Sequence, residues 1–167
     1  MRGARAPCIL EIIMDKVEKF KSIFSGLDRA YGQYKSDGST DDGKVGGKAF
    51  IIKGPVTDKL FIDHLAKKDP SLGIIPIRDD STCSWGCIDI DTYPLEYKKI
   101  IAHIRELKLP LVMCRSKSGG AHVFIFLKEP VQARLVRDKL AEWSAEIGYA
   151  HCEIFPKQIE IKADRGD

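Results

Sequence analysis

Two carboxylates stand two residues apart in Ile88-Asp89-Ile90-Asp91-Thr92, at the end of an apolar run from Trp85 to Tyr93. Side chains alternate along a β-strand, so on an extended run Asp89 and Asp91 point the same way. Neighbouring like charges repel, and a strand gains nothing from them. A divalent cation removes that repulsion, and Mg²⁺ binds through one or two carboxylates together with substrate phosphates. The chemistry this spacing suggests is metal-dependent phosphoryl transfer. The plainer reading is a strand that runs out into solvent at Asp91.

Three later stretches add to the pair. Arg115-Ser116-Lys117-Ser118-Gly119-Gly120-Ala121-His122 is basic and rich in hydroxyls and glycine. Glycines let backbone N–H groups approach a phosphate, and Arg115 or Lys117 adds charge; a tight hairpin turn would need the same glycines. His122 heads an otherwise apolar strand. It either packs as a hydrogen-bonded core histidine or donates from a neutral ring to a phosphate oxygen. Glu153, after His151-Cys152, would be a third carboxylate of a two-metal site, which steadies both attacking and leaving oxygens of an in-line displacement. Glu160 and Asp164 are rival third ligands, and Glu153 reads equally as an exposed edge residue. Lys157 and Gln158 suit a phosphate or a template backbone, or simply the surface.

The elements that must position these groups follow from periodicity. Residues 9–25 read as a helix through Ile9, Ile12, Ile13, Val17, Phe20 and Phe24. Residues 35–47 are Gly-, Asp- and Ser-rich and read as a loop, followed by a strand over 49–52. Thr57 is placed to cap a helix over 57–67, with Leu60, Phe61 and Leu65 buried. An apolar run over 72–77 leads to a polar loop over 78–82. Then come a strand over 85–92, a helix with Pro94 in its first turn and an Ile100, Ile101, Ile104, Leu107 stripe, and a strand over 110–114. A turn over 116–120 leads to a strand over 121–127. Pro130 opens a helix carrying Val136, Leu140, Trp143 and Ile147, which Gly148 ends. Strands over 152–155 and 158–163 close the chain. The order from Trp85 to Phe155 is β-α-β-β-α-β, the ferredoxin-like split βαβ unit. Its first strand is central, between the third and fourth, which would bring His122 and Glu153 beside Asp89 and Asp91.

Bulk properties exclude several classes. With 167 residues, 44% hydrophobic and 31% charged, the chain can bury a core as one domain and is not disordered. A net charge of +3 permits a nucleic-acid partner without indicating one. Five scattered cysteines make no disulfide framework, and Cys83 and Cys87 have no second pair for a structural zinc, which is not expected. The first 14 residues carry a short apolar stretch broken by Glu11, which is no export signal, and no run is long enough to span a bilayer. A cytoplasmic protein with no membrane partner is expected.

The Asp89-Ile90-Asp91 triplet, the hairpin ending in His122, and Glu153-Ile154-Phe155-Pro156-Lys157-Gln158 together resemble the three motifs of the archaeo-eukaryotic primase superfamily. The wording around them is similar to the primase-polymerase domains of TOTE conflict systems and of CRISPR-associated or mobile-element relatives. Phe24-x-Gly26-Leu27-x-Arg29-Ala30-Tyr31-Gly32 and Trp85-Gly86-Cys87-Ile88-Asp89 carry the same likeness, which spans about residues 20–167. The resemblance implies an α+β fold in one domain, an N-terminal α/β half (about 1–80) followed by an RRM-like, ferredoxin-like half (about 84–167) with the motifs. It implies a template-dependent nucleotidyltransferase that extends or initiates a strand from NTP or dNTP. Asp89, Asp91 and Glu153 would be catalytic and bind two Mg²⁺ or Mn²⁺ ions. Arg115, Ser116, Lys117, Ser118, Gly119, His122 and Lys157 would hold the nucleotide. Arg29, Tyr31 and Gln158 would meet a single-stranded DNA or RNA template. A helicase or other domains of a larger replication or defence protein are implied partners. The third acid is Glu where many members use Asp, and the family's pattern expects a further segment after Asp167, so the chain reads as truncated there. The alternatives are a non-catalytic single-stranded nucleic-acid-binding RRM-like module, with Phe124 and Phe126 as candidate stacking residues, an end-processing repair polymerase of the same superfamily, or a metal-dependent nuclease.

Overall fold

The computed structural model describes residues 8–39, 45–116 and 118–161. Lys117 and Asp164 fall outside them, as do the last residues of the strand expected over 158–163. Among the described residues, four helices and two antiparallel sheets form an α+β fold.

The N-terminal part has helices α1 (Ile9–Ile23) and α2 (Asp58–Leu65) and a three-stranded sheet of β1 (Ala30–Ser39), β2 (Val45–Lys53) and β3 (Ser71–Gly73), in the order β2-β1-β3. α1 begins where the Cys8 backbone N–H donates to Glu11 Oε2 at 2.6 Å. Its apolar face buries Val17, and Phe24 follows its last turn. Thr57 stands at the N-cap of α2 but makes no side-chain cap bond; Phe61 is buried there, while Leu65, expected inside, is exposed. Of the loop expected over 35–47, residues 35–39 and 45–47 are instead strand, paired from Ala30↔Lys53 out to Ser39↔Val45, and residues 40–44 lie outside the described residues. The apolar run over 72–77 is strand only to Gly73, although Ile77 is fully buried.

The second sheet holds β4 (Thr82–Ile90), β5 (Val112–Arg115), β6 (Ala121–Gln132) and β7 (Glu153–Phe155), in the order β5-β6-β4-β7. β4 is central, with β6 and β7 on either side. α3 (Tyr97–Glu106) and α4 (Ala133–Glu146) cover one face. Ile88, Ile90, Val123 and Ile125 meet Ile100, Ile104, Val136 and Leu140 in that core. Each fully buried aliphatic side chain there contributes about 1.5–3 kcal/mol.

Several boundaries differ from the sequence reading. β4 starts three residues earlier and ends at Ile90, so Asp91 lies just beyond the strand. Pro94 precedes the N-cap Glu96 of α3 rather than sitting in its first turn. β6 runs through Pro130, which was expected to open α4. The register between β6 and β4 jumps from Phe126↔Trp85 to Val131↔Cys83, so the proline falls where no ladder hydrogen bond is needed. Residues 158–161 are not a strand.

Candidate functional site

Asp89 is placed by the ladder on both sides. It pairs with His122 on β6 and with Glu153 on β7. Directly paired residues of antiparallel strands share a face, with Cβ atoms about 5 Å apart, so these three side chains leave the sheet together, on the face away from α3 and α4. Asp89 Oδ1 is buried and has no hydrogen-bond partner. His122 Nε2 is 3.4 Å from it, near enough for attraction but not aligned to donate. Burial lifts the Asp89 carboxyl above its ordinary pKa; His122 opposes this, while the charges of Asp91 and Glu153 push it further up.

Asp91 is held by the chain that follows it and by the β5–β6 hairpin. The Tyr93 hydroxyl is shared between Asp91 Oδ1 at 3.2 Å and Ser118 Oγ at 3.0 Å. Ser116 and Ser118 hydroxyls lie 3.0 Å apart, and the Ser116 N–H donates to the Gly120 carbonyl at 2.8 Å. Gly119 takes a φ of +92°, which suits glycine. Gly120 has a different reason: a Cβ there would stand 2.3 Å from the Ile90 carbonyl oxygen and 3.0 Å from Asp91 Oδ1. The absent side chain lets the turn close against the acidic pair. The Tyr97 hydroxyl donates to the Gly119 carbonyl and pins the turn to α3.

The remaining expected residues are distributed unequally. Arg115 stands over the Tyr97 ring, 5.6 Å from its centroid, away from the carboxylates. Glu153 Oε1 is paired with Lys157 Nζ at 2.6 Å, and that ammonium also covers the Phe155 ring. Arg29 pairs with Asp79 at 2.7 Å, Tyr31 sits on β1 opposite Ile52, and Gln158 is exposed. None of these last three lines the cleft described next. Tyr93, Tyr97 and His64 escaped the sequence reading as site residues. Tyr93 had one available signal, its position in the connection directly after the acidic pair, and Tyr97 opens the helix that follows.

Asp89 and His122 open onto a cleft of ≈ 330 Å³ between the two parts of the molecule, walled by Phe20, Phe24, Trp85, Phe124 and Phe155, with His64 on the far side. Phe24 meets Trp85, Phe124 and Phe126 edge-on at 5.2–5.5 Å. An apolar cavity with a few convergent polar groups at one end is the usual form of a small-ligand site.

Among the described residues, no three His, Cys, Asp or Glu side chains gather into a ready-made metal cage. The donor set nonetheless fits a hard cation that is shared with a ligand. Asp89 offers an unpartnered buried oxygen amid two more carboxylates, and Mg²⁺ needs only one or two such groups when phosphates supply the rest.

One family, described as the TOTE conflict system, archaeo-eukaryotic primase domain, matches residues 41–163, a stretch that includes all four strands of the second sheet and Asp89, Asp91, Glu153 and Glu160. No curated protein matches the chain.

Proposed function

Because the chain belongs to the archaeo-eukaryotic primase domain family of TOTE conflict systems, we propose that it is a template-dependent nucleotidyltransferase. In this reading a hydroxyl on a template-bound strand or an initiating nucleotide attacks the α-phosphate of an NTP or dNTP and pyrophosphate leaves. The observation that carries the reading is the buried, unpartnered Asp89 oxygen beside Asp91, Glu153 and His122.

Asp89 and Asp91, with Glu153 as a third ligand, would hold Mg²⁺ or Mn²⁺, which when bound supplies positive charge against the phosphate oxygens. The chain's own groups then position. His122 donates to a phosphate oxygen, and the hydroxyls of Ser116 and Ser118 with the N–H groups around Gly119 line the triphosphate. Lys157 and Lys117 add charge, and Arg115 follows if it leaves the Tyr97 ring. The aromatic cleft excludes water and receives the nucleoside. Such transfers depend on positioning and electrostatics more than on covalent participation by the protein. We read the β5-β6-β4-β7 sheet with α3 and α4 as the RRM-like half and the β2-β1-β3 part as the N-terminal α/β half. Arg29, Tyr31 and Gln158 lie outside the cleft, where a single-stranded DNA or RNA template would run. The proposal places the chain in the cytoplasm, working with a helicase or other replication or defence domains; no described helix is long and apolar enough to cross a membrane.

A second reading has its own observation. Phe124 and Phe126 are stacked with centroids 5.6 Å apart, and Phe126 is 40% exposed, as on a sheet that binds single strands without catalysis. Incorporation of labelled NTP or dNTP on a single-stranded template with Mn²⁺ decides between the two. Asp89→Asn is expected to lower incorporation at least about a hundredfold while leaving template binding within about twofold, because Asn keeps the shape and removes the cation's partner. It should also hold or raise the melting temperature, since it relieves a buried charge. Undiminished incorporation by the variant sinks the assignment; binding without any incorporation by the native chain favours the module.

A further inference from the structure

We infer that His64 is the donor that fixes the nucleoside end of the bound nucleotide, through a ring proton that the fold confines to Nε2. This rests on the nucleotidyltransferase reading and adds to it a residue from the opposite wall of the cleft. The His64 Nδ1 accepts the backbone N–H of Leu72 at 3.1 Å. A nitrogen that accepts cannot carry the proton, so the neutral ring bears it on Nε2. Burial keeps the imidazole below its ordinary pKa, so the ring stays neutral at pH 7. Its plane is steadied against Phe20, with centroids 5.7 Å apart, and turning it would forfeit the Leu72 bond.

Nε2 has no partner among the described residues and is not sealed from solvent. His64 lines the same cleft as Asp89 and His122. The other side chains there that can donate are engaged or weak: Trp85 Nε1 already donates to the Ser25 carbonyl at 2.9 Å, and the Cys87 thiol turns to the Ile88 carbonyl. A ligand anchored by its phosphates at Asp89 and His122 therefore extends between aromatic walls toward one preset N–H donor. That donor selects an acceptor, which a nucleoside offers on its sugar or base and a bare polyphosphate does not.

The test uses the full chain with Mn²⁺ and two probes, ATP and inorganic tripolyphosphate, titrated calorimetrically. His64→Asn keeps an acceptor for the Leu72 N–H and withdraws the reach of Nε2. The expected result is about tenfold weaker ATP binding with tripolyphosphate affinity unchanged. In the native chain with diamagnetic Mg²⁺ in place of Mn²⁺, the ¹⁵N signal of His64 Nε2 should move on adding ATP and stay put with tripolyphosphate. Equal ATP affinity in variant and native chain, or equal loss for both probes, overturns the role of His64 while leaving the nucleotide site standing. Failure of the native chain to bind either probe overturns the site and the inference together.

Discussion

Cys83 and Cys87 share β4 with Asp89, and burial acts on all three ionisable groups in the same direction. It pushes the Cys83 thiol up to about 11 and the Cys87 thiol higher still. For the thiols this costs nothing, because they are neutral at pH 7 in any case. For Asp89 the same burial opposes its ordinary charged state, and neighbouring carboxylates aggravate it; a cation relieves what a strand cannot. The thiols offer a direct check on how closed this strand is. At pH 8 a group with a pKa near 11 is thiolate in about one molecule in a thousand, and the thiolate is the reactive form. Cys8 and Cys114 are exposed and Cys152 is intermediate, whereas Cys83 and Cys87 are buried. A thiol reagent at pH 8 is expected to modify Cys8 and Cys114 quickly, Cys152 slowly, and Cys83 and Cys87 only on unfolding. Mass mapping that finds Cys87 labelled as fast as Cys114 in the native chain would mean that the Asp89 strand is open.

Between elements, Gly86 decides how closely α4 approaches β4. A Cβ there would stand 2.6 Å from Leu140 Cδ1, 2.9 Å from the Phe155 carbonyl oxygen and 3.0 Å from Val136 Cγ1. The leucine can yield, but the carbonyl belongs to the paired strand β7 and cannot. Gly86→Ala is expected to destabilise by about 1–3 kcal/mol as overpacking does, read as a lower urea midpoint with unchanged slope; an unchanged midpoint would show that β7 is loosely held. The same glycine marks where the sequence was legible. β4, β6 and α4 were readable because alternation and three-to-four-residue spacing are strong there, and the order β-α-β-β-α-β made His122 and Glu153 neighbours of Asp89, as the ladder has them. A strand over 49–52 was readable within β2, but β1 and the start of β2 were not, because glycine signals a loop by composition even where it serves close approach. At Gly47 a Cβ would lie 2.4 Å from the Lys35 carbonyl oxygen and 2.5 Å from the Tyr34 ring, so that glycine serves close approach inside a strand. Pro130 misled for the opposite reason: a proline stops a ladder only where a ladder hydrogen bond is due, and the register shift removes that demand. His64 and Tyr93 were illegible because their partners, the Leu72 N–H and the Ser118 hydroxyl, are set by tertiary contact rather than by spacing.

For the molecule as a whole, the cleft exists because two parts with separate sheets meet at few points. Phe24 is the chief of them, touching Phe20 on its own helix side and Trp85, Phe124 and Phe126 on the second sheet. Around it, Trp85 Nε1 donates to the Ser25 carbonyl, and the Arg78 guanidinium donates to the Ser25 and Ser84 hydroxyls at 2.8 and 2.9 Å. Truncating a buried phenylalanine costs about 3–5 kcal/mol, and this ring, partly exposed, belongs at the low end. The loss should fall on the junction rather than on the β4–β6 ladder, whose pairing does not involve Phe24. Of the two tryptophans, Trp85 reports the junction and Trp143 reports α4. In a Trp143→Phe background, fluorescence and far-UV circular dichroism should therefore melt together, as a two-state domain does. With Phe24→Ala added, the fluorescence transition should move ahead of the dichroism transition, and ATP binding should weaken although Asp89 and His122 are untouched. Coincident transitions in that variant would mean that the Arg78 and Ser25 contacts alone hold the two parts as one unit, and that the aromatic wall of the cleft is not what joins them.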